Sequence, residues 1–529
     1  FPCIVAIRRG RFLKSLRALL IINIGKDSNT PKYNSNTYIC KMQEKRKIRN
    51  IAVAPGDGIG PEIMDAVLKI FNAAGVPLQY SMVEMGKDWY LKGHSSGMTE
   101  EARAVIESTG ILFKGPMETP KGKGMKSINV TARKTWNTYA NKRVFRTLPG
   151  VETIYSKAGI PIDLTIVREN IEDTYGGIEH MLTDDVALCR RFITRPGSMQ
   201  VHRYAFEMAS RKGARRVTCA HKANIMKLTD GLFLEAFYEV AKDYPDLQAN
   251  DVIVDDMAMK LVMRPYEYDV IVLPNLQGDI ISDLCAGLVG GLGFAPSANI
   301  GDFVSIFEAV HGTAPDITGQ QKANPTALLM SGLMMLRHLG CETEANTIEN
   351  ALYYSLEQGA HTADFGGSGN ALSTNQYAEI IIGNLGRKPS SPVKEQAVVN
   401  ETELPALPAH NRMLVSGKKS KRVLQGVDLF LESEAQPDVV AKSLLSVLGD
   451  RYTLVTISNR GTQVWPTGSV LTDLVNQYRV RVERTADFFP SQDQLLELSR
   501  AVASKFHLCS VEMLLYLDEQ PGYSKAQGQ

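Results

Sequence analysis

The residues with the most chemical content lie in a few short blocks. Ser127-Ile128-Asn129-Val130-Thr131-Ala132-Arg133 sets hydroxyl, amide and guanidinium donors at the start of a helix expected over 131–140, an arrangement suited to an anion. Arg143 follows ten residues later, and Arg168 opens the run Arg168 to Gly177, which contains Tyr175. One such arginine reads most simply as a surface group paired with an acid. Three that converge would clamp a polycarboxylate by bidentate pairs. Lys222 stands in His221-Lys222-Ala223-Asn224-Ile225-Met226, directly after a strand expected over 216–220. A lysine there faces the usual ligand crevice of an α/β sheet, where burial or nearby cations lower its pKa toward that of a base; taken alone it reads as a solvated lysine. Asp279 and Asp283 are four apart on one helix face, and Asp255-Asp256 follows a strand expected over 252–254. Such acids can simply stabilise a helix start. Beside a polycarboxylate, however, three aspartates would repel the ligand unless a divalent cation sat between them, and oxygen-only ligands suit Mg²⁺ or Mn²⁺.

Two further segments are less specific. Gly56-Asp57-Gly58-Ile59-Gly60 is a glycine turn, but Pro61 stands at the sixth position where the G-x-G-x-x-G fingerprint has its third glycine, so a Rossmann dinucleotide site is not expected and the turn reads as structural. The loop Glu308-Ala309-Val310-His311-Gly312-Thr313-Ala314-Pro315-Asp316-Ile317, with Asn324-Pro325-Thr326, has the polar, Gly/Pro-punctuated composition of a loop that could wrap an adenosine.

The elements that must position these groups alternate. Ile51 to Ala54 reads as a strand and Ile63 to Ala73 as a helix with Pro61 at its first turn. The stretches 163–167, 216–220, 252–254 and 269–273 read as strands with helix-length segments between them, giving an α/β body over 48–386. Residues 387–419 carry Pro389, Pro392, Pro405 and Pro408 among polar residues, a linker composition. Beyond it, 420–515 reads as strand (423–431), helix (437–448), strand (452–457), strand (478–482) and helix (492–506), a small α+β domain followed by a tail over 516–529.

The chain has 529 residues, enough for several domains, with 44% apolar and 22% charged residues, which excludes disorder and coiled coil as overall descriptions. Fifty-nine basic residues against 57 acidic ones leave +2, so no general attraction to nucleic acid or membrane is expected and any anion must be held by a local cluster. Seven scattered cysteines without a C-x-x-C pair suggest neither a disulfide framework nor a zinc ribbon, and secretion is not expected. Residues 1–47 are basic and acid-poor up to Asp27. They read either as an organelle presequence, implying the mitochondrial matrix, or as sequence upstream of a true start at Met42, implying a bacterial cytoplasm.

Taken in order from Ile51 to Gly386, these blocks resemble the β-decarboxylating dehydrogenases, the family of isocitrate, isopropylmalate and homoisocitrate dehydrogenases. The resemblance implies that family's two-lobed α/β fold rather than a Rossmann fold, and an active site shared between the subunits of a homodimer. It implies that Arg133, Arg143 and Arg168 form the carboxylate clamp, that Tyr175 is the acid protonating the enolate carbon after CO₂ leaves, and that Lys222, donated across the interface, is the base for the substrate hydroxyl. Asp279 and Asp283 resemble metal ligands, joined by Asp255 of the other subunit, with Mg²⁺ or Mn²⁺ as the metal. Thr119, Asn129, Asn224, Glu308, His311, Gly312, Thr313, Ala314, Asp316, Ile317 and Asn324 fall where the family holds its nicotinamide coenzyme. Ser127 with Asn129 points to isocitrate, whose third carboxylate needs polar donors, ahead of homoisocitrate or isopropylmalate. Asp316-Ile317 points to NAD ahead of NADP, because a carboxylate accepts from the ribose hydroxyls and repels a 2′-phosphate. The C-terminal unit resembles the domain appended in a Thermus-like subgroup, where a role in subunit contacts, with a tetramer as an alternative to the dimer, is expected. A catalytically silent regulatory subunit is the rival reading of another class.

Overall fold

In the computed structural model, residues 48–118, 127–365, 370–391, 410–415, 417 and 419–525 are described. The leader and most of the linker expected from sequence lie outside them.

The strands of the body are β1 (Arg49–Ala54), β2 (Leu78–Met82), β3 (Ile111–Lys114), β4 (Ala140–Arg146), β5 (Asp163–Glu169), β6 (Glu179–Met181), β7 (Ala187–Cys189), β8 (Arg216–His221), β9 (Gln248–Ile253), β10 (Val270–Leu273), β11 (Pro296–Ile300) and β12 (Ser305–Ala309). Its helices are α1 (Gly60–Ala73), α2 (Lys87–Leu91), α3 (Glu100–Thr109), α4 (Ile128–Thr135), α5 (Ile154–Lys157), α6 (Arg195–Lys212), α7 (Thr229–Ala241), α8 (Val254–Met263), α9 (Asn275–Leu288), α10 (Thr326–His338), α11 (Glu342–Glu357) and α12 (Thr374–Gly383). Ten strands form one sheet in the order β2-β1-β3-β12-β11-β4-β5-β10-β8-β9, while β6 and β7 pair as a separate hairpin.

The outer parts of the large sheet are parallel, as β-α-β alternation requires. β11 and β4 run antiparallel to their neighbours and form the seam between the two parallel halves. The central strands Ile111–Lys114 and Val270–Leu273 are buried along their whole length because helices cover both faces. Around β1, β3 and β12 one core unites α1 with α10 to α12, through residues such as Ile63, Phe71, Leu333 and Ile381. Around β5, β8 and β10 separate clusters gather Phe206, Phe233 and Phe237 on one side and Leu261, Ile281 and Cys285 on the other.

The C-terminal strands β13 (Arg422–Glu432), β14 (Tyr452–Asn459), β15 (Thr462–Trp465), β16 (Gln477–Arg484), β17 (His507–Leu517) and β18 (Gln520–Pro521) form a six-stranded antiparallel sheet, order β15-β14-β16-β13-β17-β18. Helices α13 (Pro437–Leu448) and α14 (Gln492–Ala503) pack on one face, sharing a core with Val427, Leu429, Val480 and Val482. Trp465 packs at the edge of this core. The sheet touches the body at the β6–β7 hairpin, where the Thr183 hydroxyl donates to Asn476 Oδ1 at 2.9 Å and Arg190 pairs with Glu512 at 2.5 Å.

Three local expectations are corrected. The helix expected over 131–140 is Ile128–Thr135, because Asn137 turns the chain with φ 46° and residues 140–146 then alternate between buried and half-buried as a strand. Arg143 therefore stands on a strand. The strand expected over 252–254 ends at Ile253, and Asp255 and Asp256 occupy the first turn of α8, where the helix dipole favours acids. The helix expected over 492–506 stops at Ala503, and β17, a long strand with no clean alternation because most of its side chains are half-buried, follows.

Candidate active site

The polar residues converge where β3, β5, β10 and β12 end and α4 and α9 begin. Arg168, at the end of β5, lies almost fully buried across the first turns of α9. Its Nε and Nη2 donate to Asn275 Oδ1 at 2.9 and 2.7 Å, and Nη1 pairs with Asp279. Gly278 makes this possible, since a Cβ there would come within 2.7 Å of Arg168 Cγ. Arg143, on β4, donates from Nη1 to the Ser282 hydroxyl at 2.6 Å and reaches both Asp279 and Asp283 at 3.4 Å. Tyr175, in a 3-10 turn over Asp173–Gly176, donates its hydroxyl to Asp279 Oδ2 at 2.5 Å, and the Arg168 guanidinium lies 4.8 Å from its ring centroid. Two guanidinium groups, a phenol and two carboxylates thus form one cluster.

The charges have shaped these groups. Burial raises the Asp279 carboxyl, but Arg168 and Arg143 outweigh it and hold the carboxyl below its ordinary range. Asp283, whose largest influence is burial, is pushed up. Burial and the neighbouring Arg168 lower Arg143 to about 10, and burial raises the Tyr175 phenol. Protonated at neutral pH and bonded to a carboxylate, that phenol is equipped to give a proton.

Arg133 belongs to a second, deeper network. Its Nη2 donates to Glu308 Oε1 at 2.9 Å, while Lys114 Nζ pairs with Glu308 Oε2 at 2.5 Å and donates to Asn129 Oδ1 at 2.8 Å. Asn299 Nδ2 also donates to Glu308, at 2.7 Å. From Asn299 the bonds continue through Asn141 to Arg143 Nε, so a polar chain across the antiparallel seam joins the two networks. Burial lowers the Lys114 ammonium against the pull of Glu308. For Glu308, burial pushes the carboxyl up, yet Lys114 and Arg133 hold it well below the carboxylate range. Ser127 caps α4, its hydroxyl accepting from the Val130 N–H at 3.4 Å.

Lys222 and Asp255 pair with each other and share no hydrogen bond or ion pair with this cluster among the described residues. The ammonium of Lys222 pairs with Asp255 and with neither Tyr175 nor Asp279. Among the described residues no group of three His, Cys, Asp or Glu side chains could hold a metal ion. Asp279 and Asp283 offer an oxygen-only pair of the kind that suits Mg²⁺ or Mn²⁺.

The expected coenzyme loop packs against the glycine turn. Ile59 N–H donates to Thr313 O at 3.0 Å, and a Cβ on Gly56 or Gly58 would lie 2.3 Å from Pro116 O or 2.2 Å from Thr313 O. Those glycines, with φ of 83° and 61°, are required by backbone packed on backbone, which agrees with the structural reading of the turn. Ala314 takes a left-handed φ of 40°, Asp316 and Gly312 are exposed, and Asn324 is buried and bonded to Asp364. His311 is lowered by burial, and among the described residues its Nε2 has no hydrogen-bond partner, an unmet donor or acceptor of the kind a ligand would satisfy. Asn224 is exposed in the turn after β8, and Thr119 falls outside the described residues.

The sequence reading assigned no role to Lys114 or Asp173, which lie within its motif blocks, nor to Asn141, Arg191, Asp230, Asn275, Ser282 and Asn299. The signal available was the presence of charged or amide residues inside otherwise apolar strands, as in Ile-Leu-Phe-Lys114 of β3.

Two arginines, a phenol and an aspartate pair thus gather at the ends of an α/β sheet, with Arg133 in an adjoining network. Residues 50–381 match the isocitrate/isopropylmalate dehydrogenase family, and residues 422–529 match the bacterial isocitrate dehydrogenase C-terminal domain; the chain belongs to that dehydrogenase family. It is similar to isocitrate dehydrogenase [NADP] of Thermus thermophilus, 46% identical over 490 residues that cover 92% of this chain and 97% of the relative. It is also similar to isocitrate dehydrogenase [NAD] catalytic subunit 5, mitochondrial, of Arabidopsis thaliana, 47% identical over 63% of this chain and 87% of that one. The crystal structure of TT0538 protein from Thermus thermophilus superposes with a TM-score of 0.85 at 45% identity, covering 91% of this chain and 96% of that one.

Proposed function

We propose that the chain oxidatively decarboxylates isocitrate to 2-oxoglutarate and CO₂, using a nicotinamide dinucleotide and Mg²⁺ or Mn²⁺. The observation that carries this reading is the single cluster of Arg143, Arg168, Tyr175, Asp279 and Asp283. Arg133, Arg143 and Arg168 bind and orient the substrate carboxylates. Ser127 and Asn129 contribute polar groups at the start of α4, and Lys114 occupies the Asn129 amide oxygen, leaving its NH₂ group to serve as a donor. When bound, the nicotinamide takes up the hydride and the cation, held by Asp279 and Asp283, draws electron density from the reacting carbons. Lys222 removes the hydroxyl proton, and Tyr175 delivers a proton to carbon after CO₂ leaves.

Because Lys222 pairs with Asp255 while Tyr175 pairs with Asp279, each chain carries two parts of a site, which a homodimer would complete. Support comes from α8 and α9, which expose Met259, Val262 and Met263 and Leu276 and Ile280; Ile280 is 63% exposed between the two aspartates. An apolar helix face beside the site suits a symmetric contact.

On the coenzyme, relatives and residues pull apart. Relatives that match nine-tenths of the chain, among them those from Thermus thermophilus and Rickettsia bellii, are named NADP enzymes, and this favours NADP. NAD is the second reading, resting on the exposed carboxylate of Asp316, which would repel a 2′-phosphate. Initial rates with isocitrate and Mg²⁺, comparing kcat/KM for NAD and NADP, test both points. No reduction of either coenzyme sinks the activity. A preference for NAD that Asp316→Lys with Ile317→Tyr reverses would establish the second reading over the first.

A further inference from the structure

Arg191 is absent from every motif discussed so far, yet it sits between the segments that carry the proposed acid, base and metal ligands. It follows the β6–β7 hairpin, and its guanidinium faces two aspartates that are both fully buried, Asp173 and Asp230. Nε pairs with Asp173, and Nη1 pairs with Asp230 at 2.5 Å and donates to the Thr229 hydroxyl at 3.0 Å. Each aspartate then holds backbone. Asp173 accepts from Thr174 N–H at 2.8 Å and from Leu276 N–H, in the first turn of α9, at 3.1 Å. Asp230 accepts from Lys222 N–H at 2.6 Å and from Gln277 Nε2, also on α9, at 3.0 Å.

The connections matter because of what lies beside them. Asp173 begins the 3-10 turn that carries Tyr175, and it adopts φ 67°, a left-handed conformation uncommon for a residue with a side chain. Such a conformation persists only where surrounding bonds over-determine it. α9 carries Asp279 and Asp283, and Lys222 leads the turn after β8. A guanidinium can serve both carboxylates at once because its donors point along separate edges of a rigid plane.

We propose that Arg191 is a positioning residue for the reaction, holding the Tyr175 turn, the start of α9 and the Lys222 turn in one register through Asp173 and Asp230. This rests on the reading of Tyr175 and Lys222 as acid and base. If those two groups serve different sites of a homodimer, the same guanidinium braces both sites. Arg190, next in sequence, points the other way, to Glu512 and Ser510 of the C-terminal sheet, and serves as a control.

The test uses the full chain as wild type, Arg191→Met, Arg191→Lys and Arg190→Met, with isocitrate, Mg²⁺ and the preferred coenzyme, and counts folded sites by coenzyme titration. A misplacement on the ångström scale lowers turnover by about 100-fold, so Arg191→Met loses kcat on that order while KM for isocitrate stays within about threefold. The deuterium isotope effect from substrate labelled at the hydroxyl-bearing carbon rises, because chemistry becomes rate-limiting. Arg191→Lys, which keeps the charge but not the two-edged donor, recovers part of the loss, and Arg190→Met turns over as wild type. A purely structural role would lower the melting temperature and the folded fraction and leave kcat per folded site and the isotope effect unchanged; that result overturns the proposal. If Arg191→Met does not fold, Arg191→Lys carries the test, and wild-type kcat there overturns it. A wild type that does not oxidise isocitrate overturns the functional reading and this inference with it, whereas an active wild type with unaffected variants overturns only the inference.

Discussion

Glu308→Gln is the most demanding single change the structure suggests. The Glu308 carboxylate is 5% exposed and opposite Lys114, itself 1% exposed, at 2.5 Å, with Arg133 on its other oxygen at 2.9 Å. The amide removes the counter-charge while leaving a group of nearly the same size, so packing loss does not confuse the result. Removing one member of a buried pair costs about 3–5 kcal/mol, because the remaining charge stays out of water. Two cations share this carboxylate, but Lys114, already lowered by burial, can give up its proton and recover part of the loss. The expectation is therefore about 3 kcal/mol, the lower end of that range, measured by urea unfolding at neutral pH. The pH dependence has a defined sign. Glu308 is depressed in the folded chain, so its contribution is present above the ordinary carboxyl pKa of 4.5 and lost as pH falls below it. Glu308→Gln should flatten that acid limb. Arg133 also loses its anchor, and KM for isocitrate should rise. Replacing the pair together, as Lys114→Met with Glu308→Gln, should restore much of the stability. A Glu308→Gln chain within about 1 kcal/mol of wild type would show that this network is not a buried, mutually dependent set of charges.

Other consequences are simpler to check. Asp283→Asn should raise the Mg²⁺ concentration needed for half-maximal rate by about 10-fold or more, since it removes one of two charged ligands, and an unchanged metal dependence would exclude Asp283 as a ligand. Glu169 is raised from its ordinary 4.5 to about 7, by burial first and then by Glu172. The folded chain therefore holds its proton more tightly than the unfolded one, and stability falls as pH rises from 4.5 to about 7, by on the order of 3 kcal/mol; Glu169→Gln should remove that decline in unfolding titrations. Chains with Lys222→Met and chains with Tyr175→Phe should each be nearly inactive as homodimers, and mixed dimers should regain activity at one site; absence of recovery in verified mixed dimers would contradict the shared site.

The sequence carried different features with different clarity. Apolar strands and amphipathic helices were legible because burial writes a period into the residues, and Pro437–Leu448 matches its expected bounds. Tyr175, Arg168 and Asp279 were legible as chemistry, and through the family resemblance as a set, but not as a contact. Nothing in local sequence says that residue 168 and residue 279 will meet, because their pairing depends on β5 lying beside β10. Arg143 was expected after a helix and stands on a strand because Asn137 reverses the chain, a choice that helix periodicity does not encode. The Lys114–Glu308 and Arg191–Asp173–Asp230 sets were hidden for a related reason: a buried charge looks unlike core in sequence, and its partners lie far along the chain.

The near-neutral balance of +2 has a local counterpart that bears on how ligands enter. Each cation proposed to bind substrate already faces a carboxylate of the same chain: Arg133 faces Glu308, Arg143 faces Asp279 and Asp283, and Arg168 faces Asp279. A polycarboxylate arriving alone must compete with Asp279 for both Arg143 and Arg168, leaving that aspartate beside a new anion. A divalent cation arriving alone must draw Asp279 and Asp283 from their arginines, leaving those guanidinium groups uncompensated in a partly buried site. Arriving together, they exchange partners: the arginines pass to the substrate carboxylates and the aspartates to the metal, and each charge keeps an opposite neighbour. Binding of isocitrate and Mg²⁺ should therefore be mutually strengthening, by the 5–150-fold, or about 1–3 kcal/mol, typical of coupled sites. Calorimetric titration of isocitrate with and without Mg²⁺ measures that factor directly. Because coupling is reciprocal, Mg²⁺ titrated with and without isocitrate must give the same factor, and Asp279→Asn, which frees Arg168 from its competitor, should reduce it. Independent binding of the two ligands to the wild type would refute the exchange.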